Sequence, residues 1–276
     1  MESTVNFECD SFGKRLKSML NVDFRRMFKS KLFYILITCA FVIPILITVM
    51  MTMMDGSVSV NPQTGEETVM KGPENAWQSI GTLSAGTAGD DTSAMGGMDV
   101  MSMCNINMMF MFVAVFICLF ISEDFRSGYA KNLFTVRTKK SDYVVSKTFA
   151  GFICGTFMLI AYFTGAMFGG AVSGLSFKLA ALTIGNIVMC MIAKIFLMPV
   201  FIAIFVAVSV AAKQKAWLAL CGSLGAGMLL FMIVPVITPL ESTMINVIIC
   251  FAGGVLSAMG FGAISNQILK KTSLVI

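Results

Sequence analysis

The chain contains no histidine at all, and that absence removes a good deal of chemistry. Without imidazole there is no side chain that ordinarily titrates near neutral pH, and the usual zinc sets would have to be assembled from carboxylates. The eight cysteines do not fill the gap. Cys9, Cys39, Cys104, Cys118, Cys154, Cys190, Cys221 and Cys250 stand singly, with no C-x-x-C pair, and read as small apolar packing residues. No G-x-x-x-x-G-K-[ST] phosphate loop occurs, and no polar stretch is large enough for a nucleotide domain. The chain is therefore expected not to be an enzyme and not to hydrolyse ATP itself. Charge is scarce too, at 13% of 276 residues. The long apolar runs hold no Asp or Glu, which counts against carriers driven by protons or sodium through midplane carboxylates.

What is abundant is apolar: 57% of the residues are hydrophobic, with 24 Met and 24 Phe, and the mean hydropathy is +0.85. A helix needs about 20 apolar residues to cross a hydrocarbon core of roughly 30 Å, and unalternating runs of that length read as helices. Six such runs occur, at about 32–54, 101–122, 148–170, 190–212, 216–237 and 243–266. The fold class is an all-α membrane protein with six transmembrane helices in residues 32–276, and the first span reads as an uncleaved anchor.

Residues 11–31 wind into an amphipathic pattern. Phe12, Leu16, Met19, Leu20, Phe24 and Met27 gather within about 120° of arc, and Lys14, Arg15, Arg25, Arg26 and Lys29 fall opposite. That pattern predicts a helix along the membrane surface, within a cytoplasmic segment 1–31, its cations toward anionic lipid headgroups. Asp23 interrupts the apolar stripe. Residues 55–100 have the opposite balance, seven acids against Lys71 alone, and read as an extracellular loop. Val58 and Val60, a turn through Asn61, Pro62 and Gly65, then Thr68 and Val69 predict a small hairpin. The loop reads either as a lid at a substrate entrance or as a passive tether.

The run 179–212 has 34 residues and would reach about 51 Å as a helix, too long for one straight crossing. In one reading the crossing ends near Ala193, Lys194 snorkels to the outer interface, and Leu179 to Ile192 is a re-entrant or interfacial piece. In the other the helix is tilted and Lys194 stays inside the bundle, where it joins Asn105 and Asn107 as candidates for a substrate path. Segments assigned to the inner side carry 17 of the 20 Lys and Arg, which places both termini in the cytoplasm. Small residues four apart, such as Gly151 with Gly155 and Gly165 with Gly169, permit close helix contact.

One inner segment has more internal order than orientation requires. Residues 123–147 carry six cations against three anions, arranged as Glu123 and Asp124, then Gly128, then Lys131-Asn132-Leu133-Phe134, a basic turn from Arg137 to Lys140, and Lys147. Together with the basic N-terminal helix, six spans and a large first outer loop, this order resembles the small, bacterial six-span permease subunits of type-2 ATP-binding-cassette exporters. The likeness covers nearly the whole chain. The proline common in the basic turn is absent, and Tyr129 stands where a smaller residue is usual.

The resemblance implies that 123–147 is a cytoplasmic coupling segment whose short helix docks on a separately encoded ATPase. Glu123, Gly128, Lys131, Asn132, Leu133, Phe134 and Arg137 are then the coupling residues. Gly128 would end the second helix, Tyr129 to Val136 would form the short one with Leu133 and Phe134 as its packing face, and Ser141 would cap the third. It further implies no cofactor on this chain, ATP and Mg on the partner ATPase, a second permease copy or sister permease, no nucleic acid, and a place in the bacterial plasma membrane. The cargo would be an amphipathic or hydrophobic compound, such as an antimicrobial peptide or antibiotic. The rival readings are a non-transporting scaffold or sensor whose basic loop binds anionic lipid or a partner, and an ion-coupled carrier.

Overall fold

The computed structural model describes residues 12–60, 67–69, 72–73, 75–81, 105–136, 140–178 and 183–272. Helices carry the fold: α1 (Phe12–Lys29), α2 (Lys31–Met53), α3 (Met109–Arg126), α4 (Tyr129–Val136), α5 (Ser141–Val172), α6 (Ile184–Ala212), α7 (Ala216–Phe231), α8 (Val234–Ile237) and α9 (Met244–Thr272). Five segments are long and apolar enough to cross a membrane: α2, Ile106–Arg126, α5, α6 and Met244–Lys271. The chain is thus a helical, membrane-embedded protein. Two short antiparallel strands, Val58–Val60 and Glu67–Val69, pair Val58 with Val69 beyond α2. They mark one end of the bundle as the hairpin end; α1 and α4 mark the other.

Several boundaries differ from the sequence reading, each for a physical reason. The 32-residue α5 begins at Ser141 rather than near 148, so Lys147 lies inside a helix. Among the described residues no side chain caps that helix start; Ser141 Oγ instead lies 3.5 Å from Asp142 Oδ1. The helix α3 runs on to Arg126 and takes Glu123 and Asp124 with it. The long apolar run is a single helix from Ile184, with Pro199 inside it. Residues 184–192 are therefore no separate re-entrant piece, while 179–182 lie outside the described residues. Conversely, 216–237 is not one rod: α7 has 16 residues, about 24 Å, and breaks at Met232–Ile233 before the four-residue α8.

In lipid, apolar surface gives helices little reason to associate, so packing and small residues decide contacts. The centre is α3, against α5, α6 and α7, with Phe110 stacked on Phe201 at 4.6 Å between ring centroids. The helix α2 lies along α5 at Gly165 and Gly169. A Cβ at Gly165 would run into the backbone carbonyl of Phe41, and one at Gly169 would be 2.9 Å from Ile45 Cα. That glycine pair therefore serves packing within one chain.

Candidate functional site

The α1 end holds a buried ionic cluster drawn from three helices. Met19, Asp23 and Met27 recur every four residues on α1 and form its buried row, so the aspartate that broke the apolar stripe is driven into the bundle with its neighbours. There Lys147 Nζ of α5 lies 2.7 Å from Asp23 Oδ1 and 2.7 Å from Asp124 Oδ2 of α3. Ser146 Oγ donates to Asp23 Oδ2 and Tyr143 Oη donates to Asp124 Oδ2 at 3.0 Å. Arg26 Nη2 closes on the other oxygen of Asp124 at 2.5 Å. Asp23 and Asp124 are fully buried and Lys147 is 2% exposed. Two carboxylates against two cations leave no net charge, the condition under which such a group can stay out of water. Burial works against the Arg26 charge, yet Asp124 and Asp23 outweigh it and hold the guanidinium above its ordinary range. Beside this group, Arg15 Nε pairs with the buried Asp142 at 3.0 Å.

The short helix α4 is fastened to that cluster at both ends. Ser127 closes α3, Gly128 turns the chain at φ +75°, a left-handed conformation that glycine adopts without strain. Tyr129 then lies under the Arg26 guanidinium, 4.3 Å from its ring centroid. At the far end Phe134 meets Tyr143 edge to face at 5.4 Å, and Lys140 reaches over Phe134 to the carbonyl of Leu269 in α9 at 3.0 Å. Such aromatic and cation–π contacts each contribute about 0.5–1.5 kcal/mol.

These contacts divide the expected coupling residues by face. Leu133 and Phe134 are half-buried and pack inward on the protein's own core, so they are not a free docking face. Glu123, Lys131 and Asn132 are exposed, together with Arg126, Ser127 and Thr135. Arg137 lies outside the described residues. Of the expected membrane-surface cations, Lys14, Arg25 and Lys29 are exposed, whereas Arg15 and Arg26 turn inward to carboxylates.

A second polar group lies toward the hairpin end. Lys194 is fully buried, ten residues and about 15 Å into α6, and does not snorkel to the surface. Its Nζ donates to Asn107 Oδ1 at 2.6 Å, Thr238 Oγ1 at 2.9 Å and the Thr238 carbonyl at 3.3 Å. Asn107 is buried against it, and the buried Asn105 caps the turn that presents Asn107, its Oδ1 accepting from the Asn107 N–H at 2.9 Å. Thr238 ends α8, so the break in the apolar segment is what brings a carbonyl and a hydroxyl to the lysine.

Sequence reasoning passed over Tyr143, Ser146 and Thr238 as site residues and met Asp23 only as a flaw. A signal for Asp23 was present: it shares the four-residue row of Met19 and Met27, and Asp124 and Lys147 lie at the same ends of their spans. For Thr238 the signal is indirect: Pro235 inside the apolar run cannot continue the preceding helix, and Thr238 follows the short turn that it opens. Comparison of the chain with protein-family models, with curated proteins and with solved structures found no match.

Proposed function

We propose that this chain is the membrane permease subunit of an ATP-driven exporter of the type-2 ATP-binding-cassette kind. The observation that carries the proposal is the attachment of α4. A short helix with an exposed polar face is clamped through Tyr129 and Phe134 to a buried ionic joint shared by α1, α3 and α5. A push on α4 is therefore passed to three helices as a rigid-body tilt, without local yielding. The chain holds no phosphate loop, so the push comes from a separate ATPase that binds ATP and Mg. In this reading α1 and α4 are cytoplasmic and the hairpin lies outside the bacterial plasma membrane. Residues 216–237 complete a sixth, broken crossing. The permease pairs with a second copy or a sister permease and moves an amphipathic or hydrophobic compound outward, an antimicrobial peptide or antibiotic being the cargo the resemblance implies.

One observation favours an ion-coupled carrier instead: Asp124 is a buried carboxylate within an apolar helix, contrary to the expectation that the spans are free of acids. It lies at the helix end, however, and is matched by Lys147 and Arg26, as a structural joint requires. The test is coexpression with the phosphate-loop ATPase encoded nearest the chain, purification and reconstitution into vesicles. The expected result is a stable complex and efflux that stops without ATP. Efflux that persists without nucleotide and collapses with the proton gradient would establish the carrier instead.

A further inference from the structure

The bonds of Lys194 are complete, but its charge is not balanced. All three acceptors around its ammonium are neutral, and among the described residues no Asp or Glu is paired with it. An isolated ammonium inside a membrane bundle is costly, and such groups are kept where an anion can reach them. The same spot has spare donors. Asn107 spends its Oδ1 on Lys194, leaving its Nδ2, one amide width away, buried without a partner among the described residues; the buried Nδ2 of Asn105 has none among them either. An orphaned amide donor on the side chain that holds an unbalanced cation, with a second on the turn that presents it, calls for an oxyanion, which accepts several such bonds at once and supplies the missing charge.

The surroundings restrict what can carry it. Next to this group an apolar cleft of about 240 Å³ opens between α6, α7, α8 and α9, lined among others by Phe201, Val234, Ile237, Ile249 and Cys250. Leu197, three residues along α6 from Lys194, also lines it, and Ile237 precedes Thr238, which accepts from the lysine. The cleft takes an acyl or apolar side chain, and a head carried past its Ile237 edge would meet Thr238 and the Lys194 group behind it.

We infer that Lys194, Asn105 and Asn107 form a binding site for the oxyanion head of an amphipathic molecule whose apolar part lies in the α6–α9 cleft. Binding exchanges the neutral Thr238 acceptors for a charged one. It thereby releases the α7–α8 break from α6, which makes that break the part that moves. This deepens the exporter reading by giving the cargo a negative head, but its test needs no ATPase, so either can fail alone.

The probe is decanoate, with decanol and decylamine as controls, added to the full chain in phosphatidylcholine nanodiscs and read as a Tm shift and a binding isotherm. Decanoate is expected to bind and raise Tm, and the two controls to do neither. Asn107→Asp places a carboxylate against Lys194; it should raise Tm without ligand and weaken decanoate binding at least tenfold. Lys194→Met should also weaken it at least tenfold. If phosphatidylglycerol in the disc displaces decanoate from the unaltered chain and the Asp variant is indifferent to it, the site stands and its occupant is a lipid phosphate. Equal shifts from decanoate and decanol, or decanoate binding unchanged in Asn107→Asp, would overturn the site.

Discussion

Replacing Lys147 by Met is expected to cost about 3–5 kcal/mol, enough to remove most folded protein from a marginally stable preparation. The size follows from charge arithmetic. Asp23, Asp124, Arg26 and Lys147 sum to zero, and Lys147 is the one member that touches both carboxylates at 2.7 Å. Its loss leaves Asp23 fully buried with a serine hydroxyl and a guanidinium atom 4.0 Å away, too distant for a hydrogen bond. A second change restores the balance: Asp23→Asn with Lys147→Met leaves Asp124 paired to Arg26 and should recover most of the loss. The check is denaturation of both variants in the same detergent. If the double variant were as unstable as the single one, the cluster would owe its stability to shape and not to charge.

Loss of ATPase binding and of efflux to background is the expected result of Lys131→Glu with Asn132→Asp. Both residues point away from the bundle, on the face opposite Leu133 and Phe134, so the change leaves the ionic joint and the helix in place. Reversing the charge sign at the centre of a docked polar face opposes complementarity at a cost of several kcal/mol, and each 1.4 kcal/mol is tenfold in affinity. Lys14→Glu, on the exposed side of α1, is the control and should leave the complex intact. The readout is ATPase retained on the tagged permease, with Tm measured alongside. Retention of the ATPase by the double variant would move the docking face off α4. By contrast Phe134→Ala is not a clean docking test, because Phe134 holds α4 to Tyr143.

How much of this was legible in the sequence depended on the range of the forces involved. The short helix after Gly128 and the amphipathic helix at 12–29 follow from local spacing and a glycine turn, and both could be written down in advance. The direction of their faces could not. Leu133 and Phe134 look like a partner's docking surface until Tyr143 is seen beneath Phe134. Arg15 and Arg26 look like lipid-facing cations until Asp142 and Asp124 are found opposite them, more than 90 residues away in the chain. Helix ends shifted for a related reason. A hydropathy boundary is placed where charge begins, but Asp124 and Lys147 neutralise each other, so α3 and α5 run past it. For Lys194, the choice between surface and interior was decided by Asn107 and Thr238, the latter delivered by a helix break whose one mark in the apolar run from 216 to 237 is Pro235, which cannot make the helical bond back to Phe231.

The central claim is that the exposed face of α4 is where the ATPase pushes. The most direct measurement is photocrosslinking from a benzophenone amino acid at Asn132 in vesicles that perform ATP-dependent efflux, with a second probe at Val58 in the hairpin as control. The account predicts that Asn132 crosslinks to the ATPase, with a yield that changes between ATP-bound and nucleotide-free states, and that Val58 does not. A preparation that transports while probes at Lys131, Asn132 and Thr135 all fail to reach the ATPase would contradict it.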